Sequence, residues 1–191
     1  MDAESDRKLY NFYLELFYNQ GSDFSEFNDH FDDTFLKDTF EKLEFFAGKE
    51  IKQTQRMIKT FEKLAKEVHI KIFDSNKDKF KKDETVKINI ELKNVPTLYI
   101  KIFEFNCENY YRKNLAPFKT NVNLDGLISS DEKVFKYEKP AQVKFRETFE
   151  FPELDNRVGL FVIEFISNGF SSRAVIKKGS LSLITKSTIA G

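Results

Sequence analysis

The hydrophobic period of this chain changes near His69. Before that point, apolar residues recur every three to four positions; after it, they alternate, so a helical part is followed by a β part. Three helices are expected in the first part. One runs from about Glu4 to Asn19 with Leu9, Phe12, Tyr13, Leu16 and Phe17 in one stripe. A second spans roughly Ser25 to Phe46, after a break at Gly21, with Ser22 or Ser25 as the cap. The third covers Glu50 to Val68, following Gly48.

Strand signals start at His69–Phe73. Val86, Ile88, Ile90 and Leu92 then alternate with Lys87, Asn89, Glu91 and Lys93, the pattern of a half-buried strand. Tyr99–Phe105 and Val158–Ile166 are apolar on both faces and so need cover on both sides. The Phe-bearing helices are the expected lid. Further strands are expected at Lys133–Tyr137, Val143–Phe151, Arg173–Lys177 and Leu181–Thr185. Turns are expected at Asp125-Gly126, Asn168-Gly169 and Lys178-Gly179. The expected fold is α+β: about three N-terminal helices in 1–68, packed on an antiparallel β-sandwich of 7–8 strands in 69–191.

Charge divides along the same line. Residues 1–68 hold 10 Lys/Arg against 15 Asp/Glu, net −5, and residues 69–191 hold 21 against 16, net +5. A module this mildly basic, without a clustered Arg/Lys stripe, does not argue for nucleic acid. One cysteine, Cys107, excludes an internal disulfide framework and a cysteine-based zinc site. The chain carries no apolar run resembling a signal peptide or long enough to span a bilayer, so the expectation is an intracellular, cytoplasmic address without membrane partners.

Catalytic, cofactor and metal sites are not expected. Asp74-Ser75-Asn76-Lys77-Asp78 imitates the start of a calcium loop, but Lys79 stands where glycine is needed and Thr85 where the bidentate Glu belongs; a polar turn is expected. Asn28, Asp29, Asp32 and Asp33 read as the wet face opposite Phe27, Phe31 and Phe35. His30 and His69 have no ligand-spaced neighbours, which leaves a Cys107–His69 dyad as the one formal nucleophile–base pair. Single glycines rule out the usual phosphate loops, and Glu147 and Glu150 fall on opposite faces of one strand. The candidate partner contacts are large groups in expected loops: Tyr110, Tyr111, Arg112, Phe170 and Arg173.

The run Lys82-Asp83-Glu84-Thr85-Val86-Lys87-Ile88-Asn89-Ile90-Glu91-Leu92-Lys93-Asn94-Val95, followed by Leu98-Tyr99-Ile100-Lys101-Ile102-Phe103, resembles the opening of macroglobulin-type, immunoglobulin-like β-sandwich domains, with Asp83 where those domains usually carry Gly. The segment from Asn94 to Gly191 is also similar to stretches of very large protist proteins. The resemblance covers roughly the last 110 residues and implies a sandwich serving as one bead of a longer, multidomain chain. It also raises the alternative of a macroglobulin-like protease inhibitor, although no Cys-Gly-Glu-Gln thioester motif is present. The expectation is a non-enzymatic interaction or structural module whose partner is a protein or a neighbouring domain of the same chain. A Cys107-dependent hydrolase and a calcium-binding module are the remaining alternatives.

Overall fold

The computed structural model describes residues 3–50, 55–115, 118, 120 and 122–179. It divides into two compact units, one of Met1–Glu67 with Lys139–Lys144 and one of Val68–Glu138 with Phe145–Gly191.

In the first unit, α1 spans Ala3–Asn19, α2 Asp33–Phe46 and α3 Gln55–Lys66. The second expected helix is shorter than its period suggests. Ser25–Phe27 is a single 3-10 turn, entered through Phe24 in the left-handed region (φ 69°). The α-helix restarts only after Asp32, whose Oδ1 accepts the N–H groups of Thr34 (2.9 Å) and Phe35 (3.1 Å). Asp32 is thus an N-cap rather than part of a helical wet face, and a capping Asp halts the helix that would have run through it. Asp23, not Ser25, receives the preceding turn: its Oδ1 accepts from Ser25 N (3.0 Å) and Oγ (2.7 Å). Gly48 closes α2 at φ +79°, with Gly48 N bonding Phe45 O and Lys49 N bonding Glu44 O, a Schellman cap. Leu14, Phe24 and Leu36 form the buried centre, with Tyr18, Phe27, Phe31, Phe35, Phe40 and Leu43 packed around it. Phe45 stacks on the buried Phe61 ring of α3 at 4.7 Å. The expected α1 stripe behaves otherwise: Leu9, Phe12 and Tyr13 are half exposed.

The second unit is a two-sheet sandwich. Its strands are β1 His69–Ile72, β2 Lys79–Phe80, β3 Val86–Lys93, β4 Thr97–Phe105, β5 Asp131–Lys136, β6 Lys144–Phe151, β7 Gly159–Ser167 and β8 Phe170–Lys178. The sheets have the orders β1-β3-β6 and β2-β8-β7-β4-β5. The β1–β3, β4–β5, β4–β7 and β7–β8 ladders are antiparallel, while the two-residue β2 runs parallel to β8. This is an immunoglobulin-like β-sandwich. The expected strand at Leu181–Thr185 lies outside the described residues.

Between the sheets sits one core, including Ile88, Ile90, Leu92, Leu98, Ile100, Ile102, Phe151, Phe161, Ile163 and Phe165, all fully buried. Each buried Phe contributes roughly 1.5–3 kcal/mol through removal of apolar surface from water. The β7–β8 hairpin is turned by Asn168 (φ 46°) and Gly169 (φ 78°), a two-residue loop whose positive φ values match the strand twist.

The outward face of the larger sheet receives a local cover. A fourth helix, α4 (Cys107–Asn114), and the residues that follow it lie between β4 and β5 in sequence. Phe118 and Leu124 from this connection are buried against Phe103 of β4 and Leu160 and Val162 of β7.

Candidate interaction face

Strand parity assigns every residue of β4 a side. Ile100 and Ile102 enter the core between the sheets, so Tyr99, Lys101, Phe103 and Phe105 point outward. The register carries these positions across the sheet in rows. Phe103, Val162 and Val175 form one outward row, and Phe105 and Leu160 belong to the next; both lie under the α4 connection. The following row reads Glu132 (β5), Lys101 (β4), Glu164 (β7) and Arg173 (β8). Beyond it come Val134, Tyr99, Ile166 and Ser171, again directly opposite one another.

The charged row alternates in sign, so neighbours attract. Lys101 Nζ lies 3.1 Å from Glu132 Oε1, and Arg173 Nε donates to Glu164 Oε1 at 2.7 Å. Ser129 Oγ donates to Glu132 at 2.6 Å; this hydroxyl and then Lys101 hold the Glu132 carboxyl below the ordinary glutamate value. Glu164 is nearly buried, which makes its guanidinium partner costly to remove. Arg173 also donates through Nη1 to the Val122 carbonyl at 2.8 Å. One side chain therefore ties the sheet to the connection that covers it.

Past this row the face is open. Tyr99 is 47% exposed, Val134 54%, and Ile166 is partly exposed between Tyr99 and Ser171. An aromatic and two aliphatic side chains in register, bordered by a charged row, have the composition of an interface anchor with a polar rim.

The five expected contact residues are not gathered there. Tyr110 lies on α4, not in a loop, and its ring stands 4.5 Å from that of Phe118 within the covering cluster. Tyr111 is on the same helix, and its side chain lies outside the described residues. Arg112 is exposed and pairs with Glu108 one turn earlier at 2.6 Å. Phe170 is 58% exposed at the hairpin tip, on the parity opposite to Ser171. Arg173 is occupied by Glu164 and Val122. Tyr110 and Arg173 thus hold the domain together, whereas Arg112 and Phe170 present themselves to solvent at separate places. The open residues Tyr99, Val134 and Ile166 were missed. Parity counting along a strand apolar on both faces would have placed Tyr99 outside, but the extent of the cover has no local signal.

A groove of about 870 Å³ at one end of the sandwich is lined by Lys79, Glu104, Cys107, Val158, Lys177 and Lys178, among others. Its chemistry is quiet. Lys177 pairs with Asp78 at 3.2 Å, and Lys178 donates to the Glu84 carbonyl at 2.7 Å. Burial pushes the Cys107 thiol up, away from the thiolate a nucleophile requires. Cys107 packs against the outward face of the larger sheet, while His69 begins an edge strand of the smaller one.

The expected polar turn is present at Asp74–Asp78. Asn76 Nδ2 donates to the carbonyls of Phe73 and Asn89, each at 2.8 Å, and its Oδ1 accepts from Asn89 N at 2.7 Å. Among the described residues, no cluster of three or more His, Cys, Asp or Glu is placed to hold a metal ion. No helix among them is long and apolar enough to cross a membrane.

Residues 98–179 match the family model described as the AbpF first immunoglobulin-like domain. That match fits the immunoglobulin-like side of the expected resemblance and does not itself carry a macroglobulin label. Over its whole length the chain is 32% identical to actin-binding protein F of Dictyostelium discoideum, of which it spans 8%.

Proposed function

We propose that this chain is a non-enzymatic protein-interaction module, one piece of a larger actin-binding protein of the cytoplasm, and that its partner is the actin filament. The similarity of this chain to a stretch making up 8% of actin-binding protein F supports the partner. The single observation that carries the contact surface is the open row Val134–Tyr99–Ile166 beside the charged row. Tyr99 is the anchor, since a large ring with a polar tip gains apolar burial while keeping a hydrogen bond. Lys101 and Glu132 form the rim, and Phe170 contacts the partner from the hairpin tip. Arg112 and Tyr111, both on α4, are secondary contacts in this reading. In this reading the module comprises the helical segment 1–68 and the sandwich 69–191.

A protease-inhibitor role finds no support in the residues, because Cys107 sits in Asn106-Cys107-Glu108-Asn109 and not in a thioester motif. A Cys107-dependent hydrolase lacks an activated thiol.

Cosedimentation of the 191-residue chain with actin filaments tests the reading. The wild type should pellet with filaments. Tyr99→Ser combined with Val134→Lys should weaken pelleting by about tenfold or more, the loss of one buried anchor, while stability stays within about 0.5 kcal/mol. A wild-type chain left in the supernatant refutes the partner. A double variant that pellets as well as wild type refutes the surface.

A further inference from the structure

Helix α1 is apolar on two sides. One side is used: Leu14 is 2% exposed, Tyr18 packs on Phe40 at 5.5 Å, and Tyr10 and Phe17 touch Phe31 (5.2 Å) and Phe27 (5.0 Å). The other side bears Leu9, Phe12, Tyr13 and Leu16 at spacings of three, four and seven, a continuous stripe. Leu9 is 52%, Phe12 55% and Tyr13 50% exposed, and Tyr10 (43%) and Phe17 (36%) extend the patch along one flank. With roughly 200 Å² per large apolar side chain, these five leave roughly 450–500 Å² open to water, at the upper range of what a monomer tolerates.

We infer that this face binds the same face of a second copy of the chain, with the two α1 helices antiparallel about a twofold axis. The stripe is complementary to itself. Antiparallel pairing sets Leu9 against the partner's Leu16 and Phe12 against the partner's Tyr13, so each layer joins like-sized groups. The flanking charges agree. Lys8 and Glu15 lie seven residues apart on one edge of the stripe. In an antiparallel pair each edge faces its own copy, so Lys8 approaches the partner's Glu15, and the twofold generates that contact twice. Two such faces bury roughly 900–1,000 Å², just under the range of standard specific interfaces, so the dimer forms at micromolar rather than nanomolar concentration.

Sedimentation equilibrium of the 191-residue chain from about 1 to 300 μM, a range bracketing a dimer of this size, tests the inference. The wild type should pass from monomer to dimer within it. Phe12→Glu places a charge at the centre of the stripe and should leave a folded monomer, with circular dichroism unchanged. Lys8→Glu and Glu15→Lys should each weaken the dimer about three- to tenfold, because each creates two like-charge contacts. The double exchange should return it to within about twofold of wild type, since the pairs re-form with reversed sign. A wild-type chain monomeric throughout overturns the inference. So does a dimer indifferent to Phe12→Glu, or a double exchange as weak as the single ones.

Discussion

Replacing Arg173 by Met should loosen the cover on the larger sheet. The Met stem keeps most of the apolar packing of the arginine, so the loss is chiefly polar. Two hydrogen bonds disappear, 2.7 Å to Glu164 Oε1 and 2.8 Å to the Val122 carbonyl. Bonds to a charged donor are worth about 1.5–3 kcal/mol each. The guanidinium is 27% exposed, so water screens part of that gain, but the Glu164 carboxylate at 10% is left nearly buried with its partner gone. The expected net cost is about 2–4 kcal/mol of sandwich stability in urea unfolding. Amide exchange of Phe118 and Leu124 should quicken at the same time, because the cover loses its tie to β8 while the strands keep theirs. A cycle with Glu164→Gln should give a coupling of at least about 1 kcal/mol, as neutralising the acid removes the reason for the base. An Arg173→Met domain within about 0.5 kcal/mol of wild type, with exchange at 118 and 124 unchanged, would refute the clamp.

Two further outcomes test the electrostatics. Asp23, Glu84 and Glu132 are each held below their ordinary carboxyl values, Asp23 by the Ser25 hydroxyl and N–H, Glu84 by Lys77 and the Lys81 N–H, and Glu132 by Ser129 and Lys101. Depressed carboxyl groups stabilise the fold above their unfolded values of 3.8 and 4.5, and that contribution is lost as pH falls through the lower folded values. Thermal melts should thus show no loss from these groups between pH 7 and about 5, with destabilisation below about 4; loss that begins above pH 6 contradicts the assignment. Cys107, whose thiol burial raises above 9.0, should react with iodoacetamide at pH 7.5 more slowly than an unfolded control, and a faster reaction contradicts the inert reading.

The fold was legible wherever one period governed an element. The alternation of Val86–Lys93 and the doubly apolar runs around Ile100 and Ile163 place their strands correctly, and Asn168-Gly169 marks its hairpin. The second helix misled because Phe27, Phe31 and Phe35 keep helical spacing across a break that Asp32 imposes by capping. The cover was illegible for a related reason. Helix α4 is eight residues of mostly polar sequence, too short to set a period, so Tyr110 reads as a loop residue. Arg173 illustrates the limit for sites. Its place beside a hairpin suggested an exposed contact, yet its cross-strand partner Glu164 is fixed by register, which a single sequence does not display.

The segment between β4 and β5 gives the sandwich a roof of its own making. A domain finished in this way needs no abutting neighbour to keep the rows around Phe103 and Leu160 dry, which leaves the remaining rows of the same sheet bare. What such a bead offers outward is then free to be chosen for recognition, because none of it is required for shelter.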